Sequence, residues 1–252
     1  MVIRLPSQYK LIKRDQVTST NKVAREWAAK GEDMAPDGTI IWASEQTEGR
    51  GRRGRTWHSP PGNLYFSMIL RPEIPLSQAG ELGFVTSLAL NDCLGTLSPA
   101  GHDISCKWPN DILLNGKKVA GLLLETESPG KQLDALIVGI GVNVASHPEG
   151  TEFPATSLRY EQFSSTVEET LAGFCKSFLN WTHRWLEEGF TPVRKNWLWR
   201  AKGMGEEITV RLANDTLHGR FKDIDETGAL ILQTDSGNKV IHSGDVFFGE
   251  GK

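Results

Sequence analysis

Between Gly49 and Arg55 the chain reads G-R-G-R-R-G-R, four arginines and three glycines in seven residues. Arginine keeps its charge, and its planar fork of donors matches carboxylate and phosphate oxygens. Glycine lets backbone and ligand approach closely. Held at the ends of strands, such a loop makes a clamp for an anionic ligand. Two other readings stay open at this point: a solvated charged loop, and an arginine–glycine segment that holds RNA electrostatically. A single short repeat inside an ordered-looking domain argues against RNA. Gly49-x-Gly51-x-x-Gly54 also spells the dinucleotide fingerprint, which needs a helix beginning among the glycines. Pro60-Pro61-Gly62 and the alternating run Leu64–Leu70 follow instead.

Other chemistry-bearing residues are scattered along the chain. Thr18-Ser19-Thr20-Asn21 supplies hydroxyls and an amide before K-V-A-R-E-W-A-A-K-G. Spacing alone favours a helix cap there, and a polar-ligand site at the helix N-terminus is the alternative. K-W-P-N-D, residues 107–111, sets a cation, an aromatic, an amide and a carboxylate together. Asp111 reads as turn chemistry or as a Mg²⁺ ligand, since hard cations take carboxylate oxygens. Lys117 and Lys118 follow Asn115-Gly116, the strongest short signal for a type I′ hairpin. Gly121 reads as a bulge.

These residues need elements to position them. Thr39–Gln46 reads as a buried strand feeding the arginine loop, and residues 63–71 alternate as a second strand. Pro75 is expected to open a helix with Leu82, Val85, Ala89 and Cys93 on its inner face. Residues 135–144, A-L-I-V-G-I-G-V-N-V, read as a central strand. Gly139 and Gly141 leave one face of it bare, for close packing of protein or of a flat ligand, with Asn143 on that same face. Ser165-x-x-Glu168 matches a capping box. Val167, Leu171, Phe174, Phe178, Trp181 and Trp185 then recur at helical spacing, and Trp197 and Trp199 extend into a short last helix. From Glu206 onward, runs of about five residues divided by Asn214-Asp215, Thr227-Gly228 and Ser236-Gly237-Asn238 suggest a small SH3-like β-barrel.

Composition bounds the rest. The 252 residues carry a formal net charge of -3, with 38% hydrophobic and 23% charged residues, an ordinary globular balance. That charge offers no electrostatic case for a nucleic-acid binder. Three cysteines with no C-x-x-C spacing argue against a disulfide framework or zinc site and fit a reducing compartment. No run reaches membrane-spanning length, and the N-terminus lacks a signal-peptide core. The expectation is a cytoplasmic protein.

Taken together, S-T-N, Q-x-x-G-R-G-R-R-G-R-x-W, K-W-P-N-D, G-K-K-V-A-G and G-I-G-V-N resemble the bacterial biotin–protein ligases, from about residue 10 to the C-terminus. Each fragment is weak alone; five in this order are specific. The resemblance implies an α+β fold: a catalytic domain similar to class II aminoacyl-tRNA synthetases, with a mixed, largely antiparallel sheet, then a C-terminal SH3-like β-barrel. The expected division is residues 1–203 and 204–252. The implied activity is that of a biotin–[acetyl-CoA-carboxylase] ligase. Biotin and MgATP give biotinyl-5′-AMP and pyrophosphate, and biotin then passes to one lysine of a biotin carboxyl carrier protein of acetyl-CoA carboxylase or a related carboxylase. Such chemistry needs no protein nucleophile, because the biotin carboxylate attacks the α-phosphorus itself; the protein aligns the two and spreads the negative charge.

Carried over by matching positions, Ser19, Thr20, Asn21 and Gln46 are implied to bind biotin, with Gly121 and Gly141 letting the ligands lie against the backbone. Arg50, Gly51 and Arg52 match the loop that closes over biotin and the adenylate. Lys118, with Arg50 and Arg52, is the implied charge stabiliser. Arg53, Arg55, Trp57, Lys107, Asn110 and Asn143 are implied around ATP, and Asp111 around Mg²⁺. Glu48 stands where many relatives carry a small residue, and is expected to pair with a loop arginine in the empty site. About ten residues precede the catalytic domain, too few for the DNA-binding fold some relatives carry, so no DNA partner is expected. Monomer and homodimer both stay open. The alternatives are a lipoate or octanoate ligase on the same scaffold, and a non-enzymatic biotin sensor or RNA-binding module.

Overall fold

A computed structural model describes residues 3–127 and 133–249. Seven strands form the main sheet: β1 (Lys10–Val17), β2 (Thr39–Gln46), β3 (Leu64–Leu70), β4 (Ile104–Lys107), β5 (Asp111–Leu114), β6 (Lys117–Glu127) and β7 (Ala135–Val142). Their order is β1-β2-β3-β7-β6-β5-β4. Only β1 and β2 run parallel, so the sheet is mixed and largely antiparallel. Helices α1 (Thr20–Ala28), α2 (Glu81–Leu97), α3 (Val167–Glu188) and α4 (Phe190–Trp199) flank it.

The period-two alternation of strands sorts side chains onto two faces. On β3 and β7, Phe66, Met68, Val138 and Ile140 point into the large core shared with α2 and α3, where Phe66 meets Phe174 edge to face at 5.2 Å. The α3 stripe Leu171, Phe174, Phe178, Trp181 and Trp185 is buried there as its spacing implies. Ile41, Ile69 and Ile137 point the other way, onto Ala24 and Ala28 of α1. Farther along, that second face turns polar and bare at Ser67, Gly139 and Gly141, and there the loops gather.

Several expectations shift. The helix expected at Pro75 begins at Glu81, after a single 3₁₀ turn at Leu76–Gln78. The capping box sits one residue later than expected, on Thr166 and Glu169, whose side chains and backbone N–H groups reciprocate. The bulge lies between Lys118 and Ala120, at Val119, and Gly121 is in regular register opposite Gly141. Trp197 is buried but Trp199 is 82% exposed, since two residues along a helix point to opposite sides. β1 is an additional edge strand.

Beyond α4, strands β8 (Glu207–Arg211), β9 (Thr216–Ile224), β10 (Leu230–Thr234), β11 (Gly237–Ile241) and β12 (Asp245–Phe248) form a second, fully antiparallel sheet in the order β11-β10-β9-β8-β12. It seats on the first unit through buried contacts. Trp108 Nε1 donates to the Gly228 carbonyl at 3.1 Å, and Phe153 stacks on Phe247 at 4.9 Å. Among the described residues no helix is long and apolar enough to cross a membrane.

Candidate active site

The N-terminus of α1 points at the bare face of the sheet. Ser19 holds the N-cap position with extended backbone, yet its side chain makes no cap bond. Gln46, at the end of β2, takes over: its Oε1 accepts from the Thr20 N–H at 2.8 Å and from Thr20 Oγ1 at 3.1 Å. An orphan helix donor is thus satisfied from a neighbouring strand. Ser67 Oγ lies 2.8 Å from Thr20 Oγ1 and donates to Asn21 Oδ1 at 2.5 Å. Asn21 Nδ2 donates to Glu125 Oε2 at 2.7 Å and to the Leu123 carbonyl at 3.3 Å. Neither Ser67 nor Glu125 stands out in the sequence, because only their long-range partners mark them.

Gly139 is where Asn21 rests. A Cβ there would collide with the Asn21 amide, and one at Gly141 would collide with the Trp57 indole. Trp57 lies across the paired Gly121 and Gly141, so its ring covers the floor that the sequence left bare. Its Nε1 is buried there with no acceptor.

The arginine loop folds back on itself. Gly51 N–H donates to the Arg55 carbonyl at 2.7 Å, Trp57 N–H donates to the Gly49 carbonyl at 2.9 Å, and a bridge joins Arg50 to Thr56. Arg50 pairs with Glu125 at 3.1 Å. Arg52 Nη1 donates to Asn110 Oδ1 at 3.2 Å, and its Nη2 to Ser243 Oγ at 3.0 Å. Burial, and Arg53 beside it, pull the Arg52 guanidinium below its usual value. Arg53 and Arg55 pair with Asp245 of β12, at 3.5 and 2.6 Å. The loop's acidic partners are therefore Glu125 and Asp245. Glu48, expected in that role, is exposed and makes none of these pairs.

Lys118 owes its position to the bulge and to a segment after β7. Its N–H donates to the Pro154 carbonyl at 2.8 Å, and its carbonyl accepts from Thr156 N–H at 2.9 Å. Its Nζ then lies 2.7 Å from Asp111 Oδ1 and 5.2 Å above the Trp57 ring. The ion contact is close, but it lacks hydrogen-bond alignment at that oxygen. Lys107, 6% exposed, sits 3.7 Å above the Phe153 ring. Burial pulls its ammonium from 10.5 down to about 8, with Asp111 opposing and Lys118 reinforcing the fall.

Two adjoining cavities result. One is largely neutral, lined by the polar Ser19, Thr20, Asn21 and Gln46, by Gly121, Gly139 and Gly141, and by Leu122, Leu123 and Ile140, with Arg50 its one charged residue. The second is charged, lined by Arg52, Arg55, Lys107, Asp111 and Asp245. Gly51, Trp57 and Asn110 line both. Arg50 borders the first, while Arg53 reaches Asp245 at the rim of the second. Asn143 lines neither. It is buried and structural, its N–H on the Val119 carbonyl and its Nδ2 on the Thr156 carbonyl, which helps hold the segment that carries Lys118. Pairing a neutral pocket with a cationic one suits a small polar molecule joined to a polyphosphate.

Comparison with known proteins agrees with that geometry. The model of the biotin/lipoate A/B protein ligase family matches residues 12–143, and that of the biotin protein ligase C terminal domain matches residues 203–249. The chain belongs to the biotin/lipoate A/B protein ligase family. Within it, the likeness is to the biotin ligases. The biotin–[acetyl-CoA-carboxylase] ligase of Paracoccus denitrificans is 42% identical over 215 residues, covering 83% of this chain and 90% of that protein. The enzyme of that name from Mycobacterium tuberculosis is 30% identical over 237 residues, 92% and 86% of the two chains. The Aquifex aeolicus biotin protein ligase, solved in complex with biotin and ATP, superposes with a TM-score of 0.79 at 32% identity, covering 94% of this chain and 97% of that one.

Proposed function

We propose that the protein is an ATP-dependent biotin–protein ligase that makes biotinyl-5′-AMP with release of pyrophosphate and then transfers biotin to a lysine of a biotin carboxyl carrier protein. The observation that carries this reading is the position of Lys118. Its Nζ contacts Asp111 of the charged cavity and its side-chain end lies beside Gly121 of the other, although Lys118 itself lines neither. A carboxylate held in the first and an α-phosphate held in the second would meet at its ammonium.

In the first step a biotin carboxylate oxygen attacks the α-phosphorus, and the bond to the β,γ-pyrophosphate breaks. Thr20, Asn21 and Gln46 fix the ureido ring, and Lys118 neutralises the carboxylate and the charge growing on the α-phosphoryl oxygens. Lys107, Arg52 and Arg55 receive the polyphosphate. In the second step a deprotonated carrier lysine attacks the acyl carbon, AMP departs, and an amide forms. Asp111 would hold Mg²⁺: it lines the charged cavity at 9% exposure, with the Lys118 ammonium 2.7 Å away as its ion-pair partner. Mg²⁺ uses one or two carboxylates together with substrate phosphates. When bound, the ion screens the charge of the leaving pyrophosphate. The division into a catalytic unit to residue 203 and a C-terminal unit after it, and a cytoplasmic setting, belong to the same reading.

Ligands require movement. The neutral cavity has about 50 Å³, room for a few waters. Trp57 must leave its seat on Gly121 and Gly141 for a biotin-sized molecule to enter. A lipoate ligase on this scaffold would need a long apolar tunnel, whereas this small cavity sets hydroxyls, amides and glycines beside Leu122, Leu123 and Ile140. Titration of the purified protein with biotin and with lipoate separates the two: heat with biotin alone supports the proposal, and heat with lipoate alone overturns it.

A further inference from the structure

The sequence does not say whether the C-terminal unit touches the nucleotide site, yet one of its carboxylates lies inside the charged cavity. Asp245 begins β12 and its side chain is 11% exposed. Its Oδ1 accepts from Arg55 Nη2 at 2.6 Å, and its Oδ2 lies 3.5 Å from Arg53 and 3.7 Å from Arg211. Ser243, two residues earlier, accepts from Arg52 and Arg53 at 3.0 and 3.2 Å. Three of the loop's four arginines are thus held by one short segment of the other unit.

Elementary electrostatics gives this arrangement a meaning beyond packing. One carboxylate faces three guanidinium groups, all of which keep their charge, though Arg211 is also paired with Glu152 at 2.6 Å. Burial alone would raise the Asp245 carboxyl, but the Arg55 hydrogen bond and the surrounding arginines outweigh it and hold the group below the usual carboxylate range. It therefore stays an anion, placed as a phosphate oxygen would be. An incoming polyphosphate offers the same arginines more negative charge and more acceptor oxygens.

We propose that Asp245 is a positioning residue that docks the arginine loop on the C-terminal unit and is exchanged for nucleotide phosphate when the site fills. This rests on the ligase reading for the identity of the anion, though not for the docking itself. Because a ligand must break the docked pairs before it gains the arginines, docking lowers its apparent affinity by the fraction of molecules held shut. Removing the carboxylate frees the loop and strengthens nucleotide binding. A purely structural role for Asp245 predicts the opposite sign, since damage to the cavity weakens binding.

The experiment uses the full chain carrying Asp245→Asn or Asp245→Glu. Limited trypsin digestion without ligand reads how often residues 49–56 undock, and anisotropy of a fluorescent ATP analogue reads affinity. A charge-assisted pair of this kind makes cutting of Asp245→Asn about tenfold faster than wild type. Nucleotide binding is expected to be several-fold tighter, and Asp245→Glu should restore both toward wild type. Unchanged cutting, or equal or weaker nucleotide binding, overturns the proposal. Should Asp245→Asn fail to fold, Ser243→Ala carries the same test with a smaller increase in cutting. A wild-type protein that binds no nucleotide would sink the ligase reading, while the ligand-free cutting rates still decide the docking.

Discussion

Lys118 Nζ and Asp111 Oδ1 stand 2.7 Å apart at the wall of the charged cavity, both largely withdrawn from solvent. The pair puts an ammonium, held over the Trp57 ring, against a partly buried carboxylate. Each member compensates the other's charge.

Lys118→Ala is expected to slow biotin-dependent pyrophosphate release by about 10²–10³, the scale for losing one group that stabilises developing charge. It also leaves Asp111 without its ion partner, so Lys118→Ala combined with Asp111→Asn should recover stability but not rate. Stopped turnover together with thermal melts of both variants provides the check. Near-normal turnover in Lys118→Ala would remove Lys118 from the chemistry.

Lys107 sets a pH limb. Its ammonium is lowered to about 8 by burial, so between about 8 and the ordinary lysine value the folded protein binds one proton fewer than the unfolded chain. The sign follows: burying the charge costs stability below about 8, and that cost is relieved as pH rises above it. Phosphate binding is expected to run the other way, because on the proposed reading it uses the charge. The kcat/KM for ATP, which reports the free enzyme, should fall as pH rises through about 8. Lys107→Arg should remove that fall, since arginine does not titrate there. A profile that keeps the same limb in Lys107→Arg would assign it to another group.

Gly139→Ala tests the seat of Asn21. The added methyl collides with the Asn21 amide, which is already committed to Ser67 and Glu125. Overpacking of this kind costs about 1–3 kcal/mol. Calorimetry should show biotin affinity reduced by tenfold or more, with ATP affinity less affected. Equal loss for both ligands would mean a general distortion.

Much of this arrangement was legible in the residues, for a physical reason. Strand β2 at Thr39–Gln46, the Asn115-Gly116 turn with both residues at positive φ, and the α3 stripe rest on local periodicity or turn chemistry. What escaped depends on distant partners. Strand β1, K-L-I-K-R-D-Q-V, is an edge strand with little burial and so no alternation to read. Strand β12, D-V-F-F, is short, and Asp245 and Glu125 look like any surface carboxylate until the fold brings arginines to them. The spacing of Gly139 and Gly141 along a strand showed that they leave a bare face. It did not show that Asn21 and Trp57 of the same chain cover it.

Arg52→Gly should uncouple the two half-reactions. Arg52 ties the loop to Asn110 and to Ser243, so its loss removes both tethers and adds a flexible residue. The expected result is biotinyl-5′-AMP released into solution, with nonspecific labelling of bystander lysines at raised pH, where amines are deprotonated. Chromatography of quenched reactions measures free adenylate directly. An adenylate as well retained as in wild type would mean that Arg52 does not close the site.

The central claim is that the neutral and the charged cavity hold biotin and ATP so that one activates the other at Lys118. Its most direct test is pyrophosphate release by the purified protein with MgATP, with and without biotin, followed by labelling of a carrier domain. The account predicts pyrophosphate only when biotin is present, and one biotin on one carrier lysine. Release that ignores biotin, or none under any condition, would contradict it.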